Sequence, residues 1–129
     1  MIKSFLLWLQ KIEFSFLLWG LGFRMSKKAN EEGAFKQHLD GKDIVLQFQT
    51  EDKKSSRHYV IKDQTVRSIS GAHREPTTVL SFESAGYALM TLKKRDPMAF
   101  MQGVQEKKIV SEGDAANVMW FMGAVKLLK

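Results

Sequence analysis

Cysteine is absent from this 129-residue chain. That excludes disulfides, thiol nucleophiles and cysteine-ligated metal, and it fits a reducing compartment without establishing one. Proline occurs only twice, so nothing reads as a proline-rich linker. There is no low-complexity tract and no internal repeat. Motifs that carry chemistry are missing as well. The three histidines, His38, His58 and His73, fall on a helix end, a strand and a loop, without metal-ligand spacing. Gly20-x-Gly22 follows a helical segment and lacks the third glycine of a phosphate loop, and no Gly-x-Ser-x-Gly elbow occurs. Glu83, Glu112 and Asp114 sit where caps and turns are needed and suggest no acid/base pair. We therefore expect no enzyme, no metal and no cofactor.

The chain also lacks a long unbroken apolar run. Ile2 to Phe23 is rich in Phe, Leu and Trp, but Lys11 and Glu13 interrupt it, whereas a spanning helix needs about 18 consecutive apolar residues. It makes a poor signal peptide too, being too long and too aromatic, with no small-x-small site after it. Three readings of this segment stay open: a core or oligomer-contact helix, an interfacial helix with Trp8 and Trp19 at a membrane surface, and a membrane anchor. We treat residues 1–25 as an apolar N-terminal segment and 26–129 as the domain proper.

What is present suits one folded domain. Hydrophobic residues make up 44% and charged residues 26%, enough apolar content to build a core. The net charge of +6 favours anionic surfaces. However, the basic clusters are short and scattered, and aromatic residues rarely alternate with basic ones, so nucleic acid is not an expected partner.

The pattern along the chain is α+β. Gly20 and Gly22 are expected to break the first helix. Ser26 would cap a second helix over Ala29–Leu39, with Gly41 beyond its end. Ile44–Gln49, His58–Lys62 and Thr65–Ser70 read as an antiparallel meander, and Thr77–Phe82 as a fourth strand. A helix over Ser84–Lys93 turns Ala85, Ala88, Leu89 and Leu92 inward. Asp96 and Pro97 open the next helix as cap and first residue, and Gly103 is expected to close it. Lys107–Val110 is a fifth strand, and Asp114 caps a last helix.

Five of the seven methionines lie between Met90 and Met122. Methionine re-packs around irregular shapes. The last helix is apolar well beyond one stripe, through Val118, Met119, Trp120, Phe121 and Met122. A terminal helix of this kind in a small domain needs something apolar on its second side. Plain core packing, an oligomer contact, a membrane and a ligand cavity all satisfy that need.

The order Thr77-Thr78-Val79-Leu80-Ser81-Phe82, helix, Arg95-Asp96-Pro97-Met98-Ala99-Phe100-Met101-Gln102-Gly103, Lys108-Ile109-Val110, Gly113-Asp114 resembles the sterol carrier protein type 2 family over about the last 55 residues. The resemblance implies a five-stranded, mixed and mostly antiparallel sheet, with helices covering one face and an apolar tunnel between the layers. It implies non-catalytic binding of a fatty acyl chain, sterol, phospholipid or, as in a bacterial subset tied to ubiquinone biosynthesis, a polyprenyl intermediate. Phe82, Leu89, Met90, Met98, Met101, Met119, Phe121 and Met122 would then form the apolar wall. Lys93, Lys94 and Arg95, where the family often carries glycine, would meet a head group or an anionic membrane. The ending Lys126-Leu127-Leu128-Lys129 is not a peroxisomal address, so the expected location is cytoplasmic and peripheral to membrane. The competing expectation is an interaction module that dimerises, or docks on membrane, through its first helix and holds no ligand.

Overall fold

The computed structural model describes residues 2–94 and 96–128. In chain order the elements are α1 (Ile2–Ala29), α2 (Ala34–His38), β1 (Ile44–Thr50), β2 (Ser56–Lys62), β3 (Thr65–Ser70), β4 (Thr78–Phe82), α3 (Ala85–Lys94), α4 (Pro97–Gln105), β5 (Ile109–Gly113) and α5 (Ala116–Lys126). The sheet order is β3-β2-β1-β4-β5, with β1 and β4 parallel and every other neighbouring pair antiparallel.

The meander closes through a two-residue turn at Asp63-Gln64, both at positive φ (52° and 59°), the conformation whose twist matches a hairpin. From β3, on one edge, the chain must return across β2 and β1 to place β4 beside β1. It does so on the face away from the helices. His58 Nδ1 lies 2.8 Å from the Gly71 carbonyl, and the His73 N–H donates to Gln47 Oε1 at 2.8 Å. Thr77 N–H then bonds the Val45 carbonyl at 2.9 Å and starts the parallel pairing.

Strand alternation sends Leu46, Phe48, Tyr59, Ile61, Val66, Leu80, Phe82 and Ile109 to the other face, and all are buried. The register makes these residues direct neighbours: Leu46 opposes Tyr59, Ile61 opposes Val66, and Phe82 opposes Ile109. The helices supply the covering layer. Phe14, Leu18, Gly22, Met25 and Ala29 are the buried side of α1, spaced by four, four, three and four residues as one helical stripe requires.

α1 departs from expectation. It runs unbroken for 28 residues, about 42 Å at 1.5 Å per residue, and continues through Gly20, Gly22 and Ser26. An interior glycine costs about 1 kcal/mol relative to alanine. Burial of Phe14, Leu18 and Met25 outweighs two such costs, because a fully buried large side chain contributes roughly 1.5–3 kcal/mol. Gly22 is also needed there. A Cβ on it would stand 2.5 Å from Ser68 Oγ and 2.8 Å from Tyr59 Cε1. One turn earlier, the Tyr59 hydroxyl donates to the Leu18 carbonyl at 2.6 Å. Burial pushes the Tyr59 phenol well above the usual tyrosine range, with Arg57 opposing slightly, so the group stays a neutral donor. With Ser26 inside α1, the second helix shrinks to Ala34–His38.

Farther on, Asp96 caps α4 by accepting the Met98 N–H at 2.9 Å, with Pro97 in the first turn. α4 passes through Gly103 to Gln105. That glycine does not stop the helix; it makes room, since a Cβ there would lie 2.5 Å from Tyr87 Oη and 2.7 Å from Ile109 Cδ1. The fifth strand starts at Ile109 and reaches Gly113, later than expected. Gly113, at φ +97°, brings its backbone against the Thr77 carbonyl. Asp114 Oδ1 accepts the Ala116 N–H at 2.9 Å and so opens α5.

The two glycines of α1 give a paired expectation. Gly20 has nothing within 4 Å of an added Cβ, so Gly20→Ala should raise stability by up to about 1 kcal/mol through helix propensity. Gly22→Ala should lower it by roughly 1–2 kcal/mol, as overpacking exceeds the same gain. Urea unfolding followed by circular dichroism measures both.

Candidate functional site

Beneath α3, α4 and α5 lies a cluster of aromatic rings. Phe82, at the end of β4, is the hub. Its ring centroid is 6.1 Å from Phe14, 6.3 Å from Phe48 and 6.4 Å from Phe100. Phe48 in turn packs on Phe121 of α5 at 4.9 Å and on Tyr59 at 5.6 Å. Leu89 of α3 is buried alongside. Of the expected wall residues, Phe82, Leu89 and Phe121 therefore come together in the core, and Met122 is half-buried against it.

The other methionines lie on the outside of the helical layer. Met90 on α3 is 50% exposed, Met98 and Met101 on α4 are 74% and 41%, and Met119 on α5 is 55%. Met98 and Met101 share a shallow hollow of ≈ 380 Å³ with Gln102, Gln105 and Glu106. A closed tunnel joining these methionines to the rings is not seen among the described residues. The helices present methionines on their exterior over an aromatic floor.

α5 is held by polar clasps rather than by close backbone packing. His38 stacks on Trp120 at 5.0 Å with planes 11° apart. Each residue also bonds the other's backbone: His38 Nε2 donates to the Trp120 carbonyl at 2.9 Å, and Trp120 Nε1 to the His38 carbonyl at 3.0 Å. Lys42 Nζ lies 5.5 Å from the Trp120 ring centroid, adding a cation–π contact. One turn earlier on α5, Asn117 Nδ2 donates to Thr78 Oγ1 at 3.0 Å. His38 is thus structural, as a lone helix-end histidine suggests.

Ser111 was not singled out by sequence reasoning. It opposes Leu80 in the β4–β5 ladder and so points to the helix-covered face. Its hydroxyl is the one buried side-chain polar atom without a partner among the described residues. A serine midway along a short strand gives no sign that its hydroxyl will be stranded, so only the register exposes it. Ligand sites are commonly apolar with a few placed polar groups.

Lys93 Nζ sits 3.8 Å from Glu13 on α1, Lys94 is exposed, and Arg95 lies outside the described residues. Trp8 and Trp19 are exposed on α1 within a longer stripe of Phe5, Trp8, Ile12, Phe16, Trp19 and Phe23. At 100° per residue, this stripe runs about 120° around the helix from the buried one. Its rings contact in sequence, Phe5 with Trp8 at 6.0 Å, Phe16 with Trp19 at 5.6 Å and Trp19 with Phe23 at 5.8 Å. Among the described residues, no helix is long and apolar enough to cross a membrane, and no group of three or more His, Cys, Asp or Glu residues is placed to hold a metal ion.

Known proteins align with this architecture through structure alone. No family model matches the chain, and no curated protein matches it in sequence. Among solved structures, it is similar to a UbiJ-SCP2 ubiquinone synthesis protein, with TM-score 0.67 and 15% identity over 88% of this chain and 91% of that one. It is also similar to sterol carrier protein domain 2 of Helicoverpa armigera, with TM-score 0.59 and 8% identity over 84% of each chain. A crystal structure of sterol carrier protein 2 aligns at TM-score 0.58 and 13% identity, over 84% of this chain and 90% of that one. The chain has the sterol carrier protein 2 fold: α+β, with a five-stranded mixed sheet.

The stranded hydroxyl generates a test. Ser111→Ala removes a buried group that has lost water without gaining a partner. The ligand-free protein should therefore gain roughly 1 kcal/mol in denaturant unfolding, whereas a serine bonded in the core would lose stability on the same change.

Proposed function

We propose that this chain is a non-catalytic lipid-binding domain that takes the apolar part of its ligand between the sheet and α3–α5. The fold is the starting point, and the observation that carries the reading is the make-up of the layer over β4. Phe82, Phe100 and Phe121 form a floor, Met90, Met98, Met101, Met119 and Met122 lie around and above it, and the Ser111 hydroxyl is left without a partner. Flexible methionines can re-pack around a chain of methylenes, and each buried methylene contributes about 0.8 kcal/mol. α5 meets the sheet through side chains, Asn117 on Thr78 and Phe121 on Phe48, so a small shift of the helix leaves the strand register untouched.

The ligand class is a fatty acyl chain, sterol, phospholipid or polyprenyl quinone intermediate. Among these we favour the polyprenyl intermediate, since a ubiquinone synthesis protein shares the fold across nearly the whole chain. The site needs no metal or cofactor for this role. The aromatic stripe of α1, with Trp8 and Trp19, would rest at a membrane interface, where amphipathic ring systems are favoured, making the protein peripheral on the cytoplasmic side. The second reading is an interaction module that pairs with another copy through the same stripe. The nine large apolar side chains exposed between Ile2 and Phe23 favour it.

Native mass spectrometry separates the two. The lipid-binding reading predicts a monomer that copurifies with an apolar adduct, or takes up a fluorescent fatty acid or quinone analogue one to one. A ligand-free dimer that takes up neither analogue would overturn it in favour of the second reading.

A further inference from the structure

We propose that the groove between α1 and the β1–β2 hairpin is a head-group site for anionic phospholipid in a bilayer. This deepens the membrane role given above to the α1 stripe and rests on it. The groove, ≈ 570 Å³ in volume, has an apolar wall from Trp8, Ile12, Phe16 and Trp19, and a basic wall from Lys54 and Arg57. The two walls suit the two halves of a phospholipid: rings for the upper acyl and glycerol region, cations for the phosphate.

The charges are not already spent. Lys11, also in the groove, lies 3.9 Å from Asp52 and is offset by it. Asp52 is committed to the hairpin tip. It accepts the Thr50 hydroxyl at 2.6 Å and the Lys54 N–H at 3.0 Å, and these bonds, with the hydroxyl first, hold its carboxyl below the usual carboxylate range. The tip is therefore shaped by Asp52, with Lys53 at φ 61°, and it carries Lys54 to the mouth of the groove. Lys54 and Arg57 form no ion pair among the described residues. Arg57 opposes Phe48 in the ladder and is half-buried beside α1. Its Nη1 donates to Ser68 Oγ at 2.7 Å, which orients the guanidinium, and its remaining N–H donors find no protein acceptor among the described residues. A planar, positioned guanidinium with free donors is suited to phosphate. A bilayer is the occupant that satisfies both walls, since the stripe continues past the groove at Phe5 and Phe23, where a single soluble ligand would leave it bare.

The test uses the full chain carrying Trp120→Phe, so that emission reports only Trp8 and Trp19, and vesicle flotation as a second readout. Phosphatidylcholine vesicles report the stripe, and vesicles that also contain phosphatidylglycerol report the groove. Phosphatidylglycerol should strengthen binding, and Lys54→Gln/Arg57→Gln should weaken the anionic arm roughly 20-fold, given about fivefold for each cation near an anionic surface, without changing the phosphatidylcholine arm. Lys54→Glu alone, at the exposed hairpin tip, should do the same if the double variant folds poorly. Lys62→Gln/Lys126→Gln, exposed lysines elsewhere, should retain the preference. Equal binding to both vesicles, or an unchanged preference in Lys54→Glu, overturns the groove while leaving the stripe's membrane role intact. Binding to neither vesicle overturns both. Displacement by inorganic phosphate beyond chloride at equal ionic strength overturns the bilayer source and assigns the groove to soluble phosphate.

Discussion

The seating of α1 on the sheet governs the rest of the molecule. At Gly22 the helix backbone comes into contact with Tyr59 and Ser68, and the Tyr59 hydroxyl reaches the Leu18 carbonyl. That contact sets the rotation of a 28-residue helix about its own axis. With Phe14, Leu18, Met25 and Ala29 turned down into the core, the second apolar stripe must face out, because a small domain has no further interior to offer it. The exposed rings are thus the other half of the packing solution. The same placement sets α1 beside the β1–β2 hairpin and creates the groove between them.

The other half of the helical layer is held differently. α1 meets the sheet closely, whereas α5 reaches it through side chains, Phe121 on Phe48 and Asn117 on Thr78, with Trp120 clasped to α2. Rings and methionines fill the intervening space. A layer of this kind can admit a guest by moving α5 and its methionines, with the strand register unaffected. In the proposed role, α1 and the hairpin turn toward an interface, and α3–α5 cover the apolar floor.

The sequence revealed the strands well because alternation and turn residues agree. Ile44, Leu46 and Phe48 face the core as their period of two requires, and Asp63-Gln64 makes the turn. The Asp96 cap was legible for the same local reason. The glycines misled. Gly20, Gly22 and Gly103 read as helix breakers, but two of them are close-approach positions whose role depends on Tyr59, Ser68, Tyr87 and Ile109, residues far along the chain. The methionine cluster was legible as composition only. Spacing does not say which side of α4 faces the sheet, and the structure turns Met98 and Met101 outward while Phe100 goes in. Lys54 and Arg57 stand close together in the sequence, but that they face Lys11 and the rings of α1 across a groove shows only in the fold.

In the proposed role, an apolar ligand lies against Phe82 and Phe121, under α4 and α5. Photo-crosslinking with a diazirine-bearing fatty acid or polyprenyl analogue, followed by peptide mapping, tests it directly. Labelling is expected in peptides from β4, α4 and α5, suppressed by unlabelled ligand. Labelling confined to the exposed stripe of α1, or labelling that unlabelled ligand does not suppress, would contradict it.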